Sequence, residues 1–169
     1  MSALPSTLDH FFSVREVADG RAAAGALFQR RYGEVAPDFP HHVVGFWRDS
    51  DGVEQPICYI HFTPRGDMLL GGGACTDDRL IRHLPAAHRA ALRAAGGIYH
   101  QTLAQSVALF APRYPAIFGY CGDALAHRVD RAVGFQPTRH AHLLAYFTRP
   151  LPDREQARLI EEAHAVGPF

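Results

Sequence analysis

Three consecutive glycines interrupt an apolar part of the sequence. Gly71, Gly72 and Gly73 follow Met68 and two leucines and lead into Ala74. Glycine weakens a β-strand unless a bulge or the close approach of another backbone or a ligand requires it. The run therefore indicates one of two structures: a bulged strand along which the extended arm of a ligand could lie, or a tight turn that splits the strand.

A second pair of glycines stands where a long helix begins. Gly96 and Gly97 separate a helical pattern over residues 85–95 from another over residues 98–111. The first N–H groups of a helix have no acceptor within it and lie at the positive end of its dipole, so they favour an anion. The pair predicts either an anion-binding loop or a plain terminator that joins two helices.

Eleven histidines raise the question of a bound metal. His140 and His142 are two residues apart and would share one face if they lay on a strand, and His41 and His42 lie in a predicted loop that could approach them. Neither pair has a nearby Cys or carboxylate in a known zinc pattern such as His-Glu-x-x-His. We therefore expect no metal site. The three cysteines form no Cys-x-x-Cys pair, and we interpret them as buried small hydrophobes.

An alternating set of strands and helices must position these residues. Apolar alternation predicts strands over residues 11–17, 43–48, 57–63, 68–76, 116–121 and 143–148. Helical spacing predicts one helix between Asp19 and Gly33, and others over residues 85–95, 98–111, 124–133 and 152–165. Because hairpins come first and strand–helix alternations follow, we predict a mixed α/β (α+β) fold with a central mixed sheet flanked by helices.

The segment from Ala126 to Phe135, Ala-His-Arg-Val-Asp-Arg-Ala-Val-Gly-Phe, resembles the end of the fourth helix of the GNAT acyltransferases, which closes in a Gly-Phe pair. The order of the predicted elements over residues 11–149 is also similar to that family. The resemblance implies a GNAT-like fold formed by a single domain over residues 1–169. It makes residues 77–92, with an extra helix, an insertion after the central strand.

The resemblance implies acetyl-CoA as the cosubstrate. In the family, a loop of the pattern Gln/Arg-x-x-Gly-x-Gly/Ala binds the pyrophosphate of coenzyme A through backbone N–H groups, and the pantetheine arm lies along the bulged central strand. Arg93-Ala-Ala-Gly-Gly-Ile98 is similar to this loop, although Ile98 replaces its last Gly or Ala. Asp123 stands where an Asn often begins the fourth helix, and a simple N-cap explains it equally well. The residues thus assigned to the coenzyme are Gly72, Gly73, Ala74, Arg93, Ala95, Gly96, Gly97, Ile98 and Asp123.

Acyl transfer to an amine needs a base for the attacking ammonium and donors for the oxyanion, while the thiolate leaves with or without a proton. Alternation in the strand over residues 57–63 makes His61 a candidate base, with a hydrogen-bonded or surface histidine as the alternative. Asp130 stands where the family often has a Tyr that serves as general acid. Tyr120, at the end of a predicted strand, is our candidate substitute for that acid.

The charge balance argues against two classes of partner. Seventeen basic residues balance seventeen acidic ones, so no net field would draw the protein to nucleic acid or to an anionic membrane. All seventeen basic residues are Arg, which we attribute to the codon bias of a GC-rich bacterial genome. The first nine residues lack the basic and apolar regions of a secretory signal, and we expect a cytoplasmic protein.

Three hypotheses for function remain open. The first is an N-acyltransferase that moves an acetyl group from acetyl-CoA to an unknown small-molecule or protein amine. Its attack would be direct, because the sequence has no Gly-x-Ser-x-Gly or other evident nucleophile motif. The alternative is a non-catalytic GNAT-like domain that binds acyl-CoA or a protein partner. The third is a histidine-based metalloprotein. The terminal helix, apolar at Leu159, Ile160 and Ala163, either covers the sheet or joins a second subunit of a homodimer.

Overall fold

A seven-stranded sheet forms the centre of the computed structural model, which describes residues 5–169. The strands are β1 Phe12–Val17, β2 His41–Arg48, β3 Glu54–Arg65, β4 Met68–Thr76, β5 Ala116–Tyr120, β6 Gln136–Pro137 and β7 Leu143–Phe147. Their order in the sheet is β1-β2-β3-β4-β5-β7-β6. Neighbouring strands are antiparallel except β4 and β5, which run parallel. The sheet is mixed, as predicted.

Helices cover both faces of this sheet. They are α1 Gly20–Tyr32, α2 Asp78–His83, α3 Ala86–Ala94, α4 Ile98–Phe110, α5 Ala124–Val133 and α6 Asp153–Val166. Leu27 of α1 packs in one core cluster with Val44 and Tyr59, and Leu159 of α6 packs with Phe118 on the same face. The opposite face carries α3, α4 and α5, whose apolar side chains share a cluster with β3, β4 and β5. Among residues 5–169, no helix has the length and apolar content to cross a membrane.

The predicted caps form at both helices where the sequence places them. Asp19 accepts a hydrogen bond from the Ala22 N–H at 2.9 Å, and Asp123 accepts one from the Ala126 N–H at 2.7 Å. Gly33 ends α1 in the left-handed conformation, with φ 74°. A carboxylate at such a position satisfies one of the free N–H groups of the first turn and contributes about 1 kcal/mol. These local signals need no tertiary contact, which explains why they can be identified from sequence.

The insertion after β4 contains two helices where one was predicted. The additional helix, α2, begins at Asp78 because the carboxylate of Asp77 accepts hydrogen bonds from the Arg79 and Leu80 N–H groups, at 3.1 and 3.0 Å. Pro85 then separates α2 from α3, since proline cannot continue the hydrogen-bond ladder of a helix. The two-residue strand β6 was also missed, because its length is too short for any alternation to appear.

Two predictions concern the C-terminal part of the chain: the strand position of His140 and His142, and the packing of the terminal helix. His140 and His142 precede β7 and do not lie on a strand, and His142 has φ 67°, so their rings do not share a strand face. The terminal helix α6 covers the sheet: Leu159 and Ala163 are fully buried against β5 and β7.

Candidate functional site

A cleft opens where β4 and β5 diverge. The two strands pair from Met68 to Gly71 on β4 and from Ala116 to Gly119 on β5, and their pairing ends there. The cleft beyond this point has a volume of about 590 Å³ and is lined by the remainder of β4, from Gly72 to Thr76. Backbone groups on this edge of β4 have lost their β5 partners. An extended ligand could therefore add to the sheet at this edge as a further strand does.

A β-bulge shapes β4 at the mouth of the cleft. Ile60 of β3 lies opposite Ala74, and Phe62 lies opposite Gly71, so Gly72 and Gly73 together face the single residue His61. A Cβ atom on Gly72 would lie 2.1 Å from Nε2 of His61, closer than any side chain tolerates. Of the two structures that the glycine run predicted, the bulged strand is the one that forms.

His61 holds this bulge from the α1 face of the sheet. Its Nε2 accepts a hydrogen bond from the Gly73 N–H at 3.0 Å, and its ring stacks on Phe39 at 3.4 Å between centroids. Burial, with a smaller contribution from His42, lowers the pKa of His61 to about 4. The neutral ring carries its proton on Nδ1, which is buried and has no partner among residues 5–169. Because its lone pair is engaged, His61 has the contacts of a structural histidine, which was the alternative to the predicted base.

The cleft passes through the sheet and has two sides. On the side of α1 and α6 its lining includes Arg31, Tyr32, Tyr120 and Phe169, and the Tyr32 hydroxyl donates to the Ala74 carbonyl at 2.9 Å. On the side of α4 and α5 its lining includes Tyr99, Cys121, Val129 and Asp130. The structure thus brings Tyr120 and Asp130, two of the three predicted catalytic residues, to one cleft together with Gly72, Gly73, Ala74 and Asp123.

A hydrogen-bonded pair lies on the α4 and α5 side. The Tyr99 hydroxyl donates to Asp130 Oδ1 at 2.8 Å, and Asp130 is only 6% exposed. Burial raises the pKa of Asp130, against the hydrogen bond from Tyr99, which lowers it. Burial and the nearby Asp130 also raise the pKa of the Cys121 thiol to about 11, so this cysteine stays protonated at neutral pH and is a poor nucleophile.

Tyr99 was not identified as a functional residue from the sequence. Its position in a helical pattern with Leu103 and Val107 marks it equally well as a core side chain. The signal that could have found it is its place in the first turn of α4, directly after the glycine pair. Nothing in the sequence pairs it with Asp130, which is 31 positions away.

The glycine pair at residues 96 and 97 has the hydrogen bonds of a helix terminator. The Ala95, Gly96 and Gly97 N–H groups donate to the carbonyls of Ala91, Arg93 and Leu92, at 3.1, 3.1 and 2.8 Å. Those N–H groups therefore end α3 and are already engaged. Arg93, Ala95, Gly96, Gly97 and Ile98 lie outside the lining of the cleft, and Arg93 is exposed.

The first turn of α4 still offers donors near this corner. The first hydrogen bond within α4 runs from the Gln101 N–H to the Gly97 carbonyl at 3.0 Å. The N–H groups of Ile98, Tyr99 and His100 precede it and are the free donors of a helix N-terminus. Of the predicted loop, only Ile98 belongs to this set, and the neighbouring Tyr99 lines the cleft.

The histidines serve other contacts. His140 stacks on His164 at 3.6 Å between centroids and lies 2.6 Å from Glu161 through Nε2, and His41 Nδ1 lies 2.6 Å from Glu16. Among residues 5–169, no group of three His, Cys, Asp or Glu side chains is placed to hold a metal ion. The three cysteines are buried free thiols, as expected.

The fold is that of the GNAT acetyltransferases, as the resemblance of the sequence implied. The structure is similar to the ribosomal-protein-S18-alanine N-acetyltransferase of Escherichia coli, with a TM-score of 0.54, 10% identity and coverage of 84% of this chain and 97% of that one. It is also similar to the ribosomal-protein-S5-alanine acetyltransferase of Vibrio fischeri, with a TM-score of 0.52, 11% identity and coverage of 83% and 96%. No family model and no curated protein matches the sequence.

Proposed function

We propose that the protein transfers an acyl group, most simply acetyl, from an acyl-CoA to an amine in the cytoplasm. The observation that carries the proposal is the free edge of β4, which a bulge opens beside a cleft of about 590 Å³. The arm of coenzyme A is an extended chain with two amides. Those amides match the backbone groups of residues 72–76 that face the cleft, apart from the Gly73 N–H and the Ala74 carbonyl, which His61 and Tyr32 engage.

The phosphates of the cosubstrate would lie at the first turn of α4. Free N–H groups and the positive end of the dipole of a 13-residue helix favour an anion there. Arg93, exposed near the end of α3, is the basic side chain of the predicted loop. Because the N–H groups of Ala95, Gly96 and Gly97 are engaged by α3, this end of the site contributes less to binding than the predicted loop would.

The reaction would proceed by direct attack of the acceptor amine on the thioester carbonyl. A neutral amine attacks and the new N–C bond forms, the C–S bond breaks, and the nitrogen gives up a proton to water in the cleft. The sulfur leaves with the electron pair and takes a proton. Asp130 is our candidate donor of that proton, because it is buried in the lining of the cleft, and burial raises the pKa of its carboxyl group. Tyr120 lies on the side of α1 and α6, where we place the acceptor.

Filling the cleft tests the proposal without disturbing the core. A Cβ atom on Gly119 meets no heavy atom of residues 5–169 within 4 Å, and Gly119 lines the cleft. We expect Gly119→Leu to fold normally and to weaken acetyl-CoA binding in isothermal titration at least about tenfold. Gly25→Leu is the matched control, because Gly25 lies on α1 and its nearest neighbour is 3.9 Å away. Absence of binding to the wild type near millimolar acetyl-CoA would reject the proposal.

A second candidate function is a domain that binds acyl-CoA or a protein partner without catalysis. The observation that favours it is the same engaged set of N–H groups in residues 95–97, together with the carboxylate of Asp78, which lines the cleft and repels phosphates. Thiol release in the presence of a panel of amines separates the two functions. Binding of acetyl-CoA with no turnover on any amine supports the second, and turnover on any amine supports the first.

A further inference from the structure

Two residues from helices that are separate in the chain meet inside the cleft. Tyr99 belongs to the first turn of α4, and Asp130 lies near the end of α5. Their hydrogen bond of 2.8 Å links the two helices on the side of the sheet that faces away from α1 and α6. A carboxyl group that is 6% exposed needs such a donor, because a buried polar group without a hydrogen-bond partner is unfavourable.

We infer that Tyr99 is a positioning residue for the proton donor Asp130, which it orients and whose conjugate base it stabilises. The inference rests on the proposed acyl transfer. Oδ1 of Asp130 accepts the hydrogen bond from the Tyr99 hydroxyl. The proton that the sulfur takes is therefore assigned to Oδ2.

The balance of protons and charge assigns Tyr99 the role of hydrogen-bond donor to the Asp130 carboxylate. As the C–S bond breaks, the electron pair stays on sulfur, the Oδ2 proton moves to sulfur, and Asp130 becomes a carboxylate. The Tyr99 O–H donates to that carboxylate, and this hydrogen bond becomes stronger as the charge develops. Burial and the nearby Asp130 raise the pKa of Tyr99, so its own proton is harder to give up than that of the carboxyl group. Water restores the proton of Asp130 after the thiol leaves.

The groups that face Asp130 come from three segments. Tyr99 donates from α4, Cys121 lies in the segment after β5 and donates its thiol proton to the Asp123 carbonyl at 3.3 Å, and His127 of α5 contributes a favourable charge when protonated. Of these groups, Tyr99 is the one whose hydroxyl can be deleted with no other change to the ring. Tyr99→Phe is therefore the appropriate variant. Tyr114→Phe is its matched control, because it removes a hydroxyl that contacts His41 on another part of the molecule.

Kinetics on an amine that the protein acetylates supply the first readout. We expect Tyr99→Phe to lower kcat about 10- to 100-fold, the loss of one hydrogen bond to a charged group, with the KM for acetyl-CoA nearly unchanged. The limb of the pH profile along which activity falls as pH rises should move to higher pH, because the variant lacks a donor that lowers the pKa of Asp130. An acetyl ester of an acidic thiol needs no proton on leaving, and with it the loss should largely disappear. An equal loss on both esters would overturn the inference.

A second readout does not depend on activity. Carbon NMR of the Asp130 carboxyl, assigned with Asp130→Asn, should give a pKa above the usual range in the wild type and a still higher pKa in Tyr99→Phe. Tyr114→Phe should leave it unchanged. A normal Asp130 pKa, or one that Tyr99→Phe does not move, overturns the inference even where acetyl-CoA binding and turnover are intact. Failure of turnover with the expected NMR shifts would instead count against the proposed function alone.

Discussion

The two ends of the cleft are built differently. At the bulge, the ring of His61 lies so close to β4 that Gly72 has no room for a Cβ atom, and the edge of β4 faces the cleft. At the α3–α4 junction, the paired glycines carry positive φ angles of 94° and 101°, yet their N–H groups complete the end of α3. The first end leaves backbone groups of β4 facing the cleft, whereas the second end uses its backbone N–H groups to complete α3.

This difference shows how an insertion changes a binding site without changing the fold. The helices α2 and α3 lie between β4 and α4, so the segment that enters α4 must first end another helix. Its N–H groups satisfy the orphan carbonyls of α3, and they are then unavailable to a ligand. Binding of the cosubstrate should therefore depend mainly on the edge of β4. The following predictions test that contrast.

The largest effect is expected at the bulge. Gly72→Ala should lower the free energy of unfolding by about 3 kcal/mol or more, because the added Cβ would lie 2.1 Å from the His61 ring, which is packed on Phe39. Urea unfolding measures this loss. The double variant Gly72→Ala/His61→Ala removes the clash and should recover much of the stability. If the double variant is less stable than Gly72→Ala by the full cost of His61→Ala alone, the close contact is not the cause.

A smaller loss of unfolding free energy is expected when the pH is lowered. The pKa of His61 is lowered to about 4 in the folded protein, against 6.5 in the unfolded chain, so the stability that the neutral ring contributes is present above pH 6.5 and is lost as pH falls toward 4. Between pH 7 and pH 5 this amounts to about 2 kcal/mol of unfolding free energy. His61→Gln keeps an acceptor for the Gly73 N–H and does not titrate. It should be less sensitive to pH than the wild type over this range, and an identical pH dependence would contradict the assignment.

The smallest effect is expected at the α3–α4 junction. Arg93→Ala should change the affinity for acetyl-CoA by less than about threefold, because Arg93 is exposed and lies outside the lining of the cleft. Isothermal titration at physiological ionic strength measures the change. Arg79→Ala, an exposed substitution on α2, is the control. A loss of tenfold or more on Arg93→Ala alone would show that this end of the site grips the phosphates as strongly as the sequence pattern suggests.

The fold was largely predictable because its signals are local. The strand over residues 68–76 and the helix over residues 124–133 have the same bounds in the structure, and the resemblance to the GNAT fold is confirmed. Asp19, Asp123 and Gly33 mark helix ends through hydrogen bonds that span a few residues. The helix α2 of the insertion was missed because its six residues, 78–83, are too few to show a helical repeat.

The candidate site was predictable only in part. The glycine run pointed to the edge of β4, but its sequence left bulge and turn open, and the register with β3 decided between them. Alternation made His61 a candidate base, yet the acceptor role of its Nε2 depends on Gly73, a neighbour across the sheet. The Gly96-Gly97 pair predicted either an anion-binding loop or a helix terminator. The partners of its N–H groups depend on where α3 ends.

By itself, the sequence determined the order of the longer strands and helices and the caps, because each follows from periodicity or from contacts between residues close in the chain. Tertiary structure alone decided that β4 and β5 diverge, that Tyr99 meets Asp130, and that the Ala95, Gly96 and Gly97 N–H groups are engaged. Those facts depend on which groups from distant segments come within hydrogen-bond distance. That distance is set by packing of the whole domain, which no single stretch of sequence encodes.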